Sequence, residues 1–116
     1  MRGKLSTLAA TTLLAVSLLA GGAAPPAHAS VTKVVKMTSS LTFMPMTITI
    51  HRGDTIRWKN PAGSGVSHTS TSGSWNSGNV APGQSFSHRF RRTGTFKYFC
   101  QYHRTFGMVG KVIVKA

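Results

Sequence analysis

Cys100 is the only cysteine in the chain and stands downstream of an export label, so the fold must hold together in an oxidising compartment without an internal disulfide. Arg2 and Lys4 form a basic start, residues 5–20 are apolar and uncharged, and Ala27-His28-Ala29 has the A-x-A form of a cleavage site. A secretory signal peptide over 1–29 is therefore expected, with Ser30 as the new N-terminus. The apolar run is short and rich in Ala, Ser and Thr, and no second hydrophobic segment of spanning length follows, so no stable membrane span is expected. Removing 29 of 116 residues leaves 87, enough for one small core but marginal without an added staple. An unpaired exported thiol invites dimerisation or overoxidation unless it is buried or ligates a metal.

The remainder, 30–116, is poor in helix signals and rich in β-branched and aromatic residues punctuated by Gly and Pro. Several short strands at even spacing follow, an all-β sandwich of one domain. The first strand is expected over 31–37. Phe43-Met44-Pro45 breaks the pattern, and 46–51 resumes it with Met46, Ile48 and Ile50 on one face and Thr47, Thr49 and His51 on the other. After an Arg52-Gly53-Asp54 turn, residues 55–59 place Ile56 and Trp58 inward, ending at Asn60-Pro61. Residues 62–83 read as a long irregular region carrying one short strand. Strands then follow at 84–91, 95–100 and from Met108 or Val109 to 115, with Phe96, Tyr98 and Cys100 sharing a face.

Between the last two strands, Cys100, His103 and Met108 form C-x2-H-x4-M. One tight loop thus presents a thiolate, an imidazole and a thioether, a soft set with imidazole that suits copper in both oxidation states. A further nitrogen is available from His68 in the other long loop, provided the sandwich brings both loops to one end. Taken singly, each of these residues has a plainer reading: a solvated loop histidine, a buried small hydrophobe, a core-filling methionine. Their joint spacing, with strands on both sides, points to a metal site.

The stretch from Tyr98 to Val112, with Phe43 to Ile50, Gly53 to Asn60 and His68 in order upstream, resembles plastocyanin-type cupredoxins over nearly all of residues 31–115. The resemblance implies a Greek-key β-sandwich of about seven to eight strands and one type 1 copper ion at His68, Cys100, His103 and Met108. In such a site His68 lies under the loops and His103 near the surface in an apolar patch. It further implies a one-electron carrier cycling Cu(II) and Cu(I), with no catalytic residues. The alternative is a copper storage or delivery module without an obligatory electron-transfer role. Two positions depart from the family: Thr69 replaces the usual Asn after the first histidine, where a hydrogen bond ties the ligand loops together, and Tyr102 replaces the frequent Pro before the loop histidine. The family's acidic docking patch is also missing.

Charge sharpens the partner. Of 14 basic residues, 12 lie beyond the leader against Asp54 alone, a net charge near +11. Export sets nucleic acid aside, leaving anionic cell-wall polymers, anionic lipid or an acidic protein partner, which the resemblance makes a redox partner with an acidic docking surface; the chain is expected to be a monomer. Most cations alternate with apolar residues as on the outer face of strands, and only Arg89, Arg91 and Arg92 cluster. A polyanion-binding domain with a vestigial site is the third reading. Enzyme readings lack a second metal cluster, a Ser/His/Asp set and carboxylates for acid-base work. His88, on the face of Phe86 and Phe90, reads as a core or sandwich-end histidine rather than a group beside the site. His51 reads as exposed, Met46 as inward, and Trp75, within the Gly/Ser-rich stretch, receives no role.

Overall fold

The computed structural model describes residues 28–116; the predicted signal segment lies outside them except for its last two residues. Among the described residues seven strands form two sheets: β1 (Thr32–Met37), β2 (Phe43–Met44), β3 (Thr47–His51), β4 (Thr55–Lys59), β5 (Ser85–Arg89), β6 (Gly94–Phe99) and β7 (Val109–Lys115). The chain lays β1 and β2 in one sheet, crosses for β3, returns for β4 and β5, and crosses again for β6 and β7. The orders are β2-β1-β4-β5 and β3-β7-β6. β1 runs parallel to β4 and β3 parallel to β7, while the β1/β2, β4/β5 and β6/β7 pairs are antiparallel. This is the all-β sandwich expected from the alternating pattern.

Alternation decides which side chains meet between the sheets. Val35, Met37, Ile50, Ile56, Trp58, Tyr98, Val112 and Val114 are buried, while Arg57, Lys59 and Lys97 point out from the same strands. Trp58 sits at the centre, with ring centroids 5.3 Å from Tyr98, 5.5 Å from Trp75 and 5.9 Å from Phe86. Gly110 faces Tyr98 across the β6/β7 ladder, and a Cβ there would collide with the tyrosine ring and hydroxyl, so only glycine lets the phenol lie inward. Burial drives the Tyr98 hydroxyl up to about 12, against a smaller lowering from Trp58, and the group stays neutral at physiological pH.

The structure corrects three expectations. Met46 is exposed and precedes β3, because the strand begins only at Thr47; Ile48 and Ile50 supply the inward face. Phe43-Met44, read as a break, pairs with Lys36 and Met37 as a two-residue strand before the cis Met44-Pro45 bond. Residues 62–83 hold no strand but only isolated bridges, and Trp75 among them is buried in the core. Composition marked that stretch as loop; one indole turned inward makes it part of the core.

Candidate metal centre

Two loops converge at one end, and backbone pairing sets their meeting. His68 exchanges both amide hydrogen bonds with Val80 (3.1 and 2.8 Å), and three residues on Thr71 does the same with Phe99 (2.9 Å each). The segment between is therefore clamped from both sides, which places Thr69 beside Cys100. Asn60, fully buried, locks the approach: its side-chain amide donates to the carbonyls of Val66 (2.7 Å) and Val80 (2.9 Å). In the sequence Asn60 reads as a strand terminator, but a polar residue at the end of an inward-alternating strand is also the signal for such a latch.

The second loop follows β6. Cys100 donates its amide to the Met108 carbonyl (3.0 Å), and the His103 carbonyl accepts from Phe106 (2.9 Å) and Met108 (3.2 Å). A 3₁₀ turn over Arg104–Phe106 ends at Gly107, whose φ of 85° reverses the chain at a conformation glycine adopts without strain. Nine residues thus carry Cys100, His103 and Met108 back to the same end, where Cys100 and Met108 are fully buried and His103 is half-buried.

The donor atoms face one another. Cys100 Sγ lies 3.5 Å from His103 Nδ1 and 3.9 Å from His68 Nδ1, and the three ligand atoms fall within 4.8 Å of one another. The two imidazoles meet edge to face with centroids 5.2 Å apart. His68 is buried, and its pKa is lowered first by burial and then by the charge of His103, against a smaller effect of the Thr38 backbone. It therefore favours the neutral imidazole, the form that binds metal. A fully buried thiol without disulfide and two histidines that each turn Nδ1 to it fit a soft, late transition metal.

Two substitutions noted in the sequence acquire functions here. The Thr69 amide donates to Cys100 Sγ (3.3 Å), and its hydroxyl accepts from the Gln101 amide (2.8 Å). A threonine hydroxyl thus joins the two ligand loops. Tyr102 reaches across the loops and donates its hydroxyl to Asn79 Oδ1 (3.0 Å), a tether in place of a stiff ring. Beside His103 the rings of Tyr102 (50% exposed) and Phe106 (72%) face solvent, and the Arg104 guanidinium covers the Phe99 ring at 3.9 Å.

A two-sheet sandwich with a Cys/His/His cluster between clamped loops at one end defines a cupredoxin. Comparison with known proteins agrees. The family described as copper binding proteins, plastocyanin/azurin family, matches residues 29–115. Chloroplastic plastocyanin of Tetradesmus obliquus is 35% identical over 104 residues, covering 77% of this chain and 69% of that one. Plastocyanin of Sambucus nigra is 35% identical over 88 residues, covering 65% and 89%. Among solved structures, an oxidised amicyanin variant superposes with a TM-score of 0.64 at 22% identity over 72% of this chain and 81% of that one. A purple cupredoxin from Nitrosopumilus maritimus gives 0.62 at 24% identity over 72% and 99%. At these identities the solved structures speak for the fold. The chain belongs to the plastocyanin/azurin family of copper binding proteins: it is a plastocyanin-like cupredoxin with one copper ion as its cofactor, acting in electron transfer and not as an enzyme.

Proposed function

We propose that this protein is an exported one-electron carrier, its copper held by Cys100 Sγ, His68 Nδ1, His103 Nδ1 and the Met108 thioether. The observation that carries the reading is the convergence of two imidazoles on one buried thiol, in loops whose backbone is already hydrogen bonded. When bound, copper supplies a centre that cycles between Cu(II) and Cu(I). The chain's own part is to keep the donors still. The Val80 and Phe99 bridges, the Asn60 latch and the Thr69 link oppose rearrangement when the charge changes, and a site that barely moves transfers electrons with little reorganisation. The half-buried His103, beside the exposed rings of Tyr102 and Phe106, is the exit nearest the surface.

The test is optical. Protein reconstituted with Cu(II) should show an intense band toward the red end of the visible spectrum that ascorbate bleaches and reoxidation restores, with the metal retained throughout. A colourless Cu(II) adduct overturns the reading. A coloured one that sheds its copper on reduction supports storage or delivery instead.

Export follows from the leader, and among the described residues no helix is long and apolar enough to cross a membrane. Cleavage after Ala29 removes His28, which otherwise bonds Asp54 at 3.1 Å, while the Val31 and His51 amides continue to hold that carboxylate. Mass analysis of protein from outside the cell should find a chain of 87 residues beginning at Ser30. As a monomer with one acidic side chain, the carrier needs a redox partner with an acidic docking surface, and the same charge favours anionic wall polymers over nucleic acid in that compartment. Complexes captured at low ionic strength should dissociate as salt rises.

A further inference from the structure

The sandwich has an open flank. β5 and β6 end their respective sheets and do not pair with each other, and aromatic rings fill the gap between them. Trp75 is the plug: it stacks on His88 with centroids 5.1 Å apart and 29° between planes, and meets Phe90 edge to face at 5.1 Å. Its indole N–H donates to Ser70 Oγ at 2.8 Å. Ser70 is bonded to Thr69, whose amide donates to Cys100 Sγ at 3.3 Å. One stacked contact, two hydrogen bonds and a short piece of backbone therefore join the half-buried His88 to the sulfur. Electronic coupling decays most steeply across empty space and far less through hydrogen bonds and covalent bonds, and this line crosses from His88 to the sulfur by short contacts throughout.

Outside the plug lies a cavity of about 380 Å³ lined by Ser74, His88, Arg89, Arg91, Arg92 and Phe96. Arg89 is committed to the Gly53 carbonyl (3.0 Å), while Arg91 and Arg92 are exposed and form no ion pair among the described residues. The chain's single acidic side chain, Asp54, is buried and bonded elsewhere. These guanidinium groups thus present uncompensated charge beside aromatic surface, on a face apart from His103.

We infer that this arginine-lined flank is a second electron port, where an acidic protein donor docks and its electron passes by way of His88, Trp75, Ser70 and Thr69 to Cys100. The inference rests on the electron-carrier reading above. One electron leaves the reduced donor, which is oxidised by one unit, and reduces copper(II) to copper(I). No bond breaks and no proton moves; the indole keeps its N–H and serves as coupling medium only. Entry at the flank and exit at His103 would let donor and acceptor occupy separate surfaces.

Two measurements test it. Copper(I)-loaded protein, titrated with the redox-inert trianion hexacyanocobaltate(III), should show amide NMR shifts at Ser74, His88, Arg91 and Arg92 that vanish in an Arg91→Gln/Arg92→Gln variant. Shifts confined to Arg104 and Lys111 overturn the docking site. In stopped flow at low salt, reduction of the copper(II) protein by hexacyanoferrate(II) should slow about tenfold in the double arginine variant and converge with wild type at high salt. Trp75→Phe should slow it several-fold with the blue band and reduction potential unaltered. Ser70→Ala, which removes only the acceptor of the indole N–H, carries the same expectation should Trp75→Phe fail to fold. Wild-type rates in all of these variants, in protein that turns blue and cycles, overturn the port and leave the carrier intact; a wild-type protein that never turns blue overturns the carrier instead.

Discussion

The two ends of the sandwich solve the same problem with opposite outcomes. At one end Cys100 Sγ gathers the Thr69 amide and two histidine nitrogens; at the other Asp54 gathers the amides of Val31 and His51 at 2.9 Å each. Both are buried acceptors around which loops close. His28, His51 and Asp54 even approach one another closely enough to suggest a cation site. Yet both Asp54 oxygens are already taken by amide hydrogens, and His28 lies before the A-x-A boundary, so that end is a finished hydrogen-bond hub. At the sulfur end the imidazole nitrogens face the thiol with no carboxylate or carbonyl between them. The comparison teaches that a metal centre differs from a structural knot in what its donor atoms leave uncommitted, since both knots are buried and tied to backbone.

Breaking each knot should therefore fail in a different way. The largest effect is expected for Cys100→Ser, which should abolish the blue absorption and stoichiometric copper binding. It should also forfeit the stabilisation that copper gives the folded chain, about 4 kcal/mol at copper a thousandfold above Kd, read as the loss of a copper-dependent rise in Tm. Next comes Asp54→Asn. Burial alone would raise the pKa of this carboxyl, but with His28 in place the hydrogen bonds from the Val31 and His51 amides and from His28, together with its charge, outweigh it and hold it below the usual value. Replacing it should cost about 3 kcal/mol, a fall of more than about 10 °C in Tm, while the blue band stays in place.

The same depression gives a pH signature. The unfolded chain binds the proton more readily, so the Asp54 contribution is complete above the unfolded pKa of about 4 and fades as pH falls through the lower folded value. Thermal melts of metal-free protein that retains His28 should show this acid limb in wild type and a flatter one in Asp54→Asn. An equal limb in both would dissolve the contrast between the ends.

Smaller changes sharpen the picture of the copper end. Thr69→Val keeps the shape but leaves the Gln101 amide without its acceptor, and should cost about 1–2 kcal/mol in denaturant titrations while copper still binds. A measurable change in reduction potential is expected, because the neighbouring amide bonds the sulfur. Tyr102→Phe should cost about 0.5 kcal/mol at most, its tether to Asn79 being exposed; faster amide exchange over residues 101–107 is the sensitive readout.

Much of this was legible in the chain. Strands with one wet face wrote themselves as alternation, and Ile56 and Trp58 against Arg57 and Lys59 could be read directly. The spacing of Cys100, His103 and Met108, the donors proposed above, is equally plain, because one short loop carries all three and does not depend on distant contacts. Met46 misled because alternation runs past the end of a strand without any mark of where pairing stops. Trp75 was opaque for the converse reason: its neighbours are Gly, Ser and Asn, yet a single indole carries a large apolar surface, and it turned into the gap between β5 and β6.

By itself, then, the sequence determined the elements, the inward faces and the chemical type of the proposed metal donors, all of which depend on residue identity and short-range period. Only the tertiary structure decided that His68 reaches Cys100 across 32 positions, that Thr69 and Tyr102 tie the loops, and that Trp75 links His88 to the sulfur by way of Ser70. Those are juxtapositions of segments far apart in the chain, set by the register of bridges such as Thr71 with Phe99. No local pattern encodes such a register, because the pairing partners are chosen by how the two sheets close over one core.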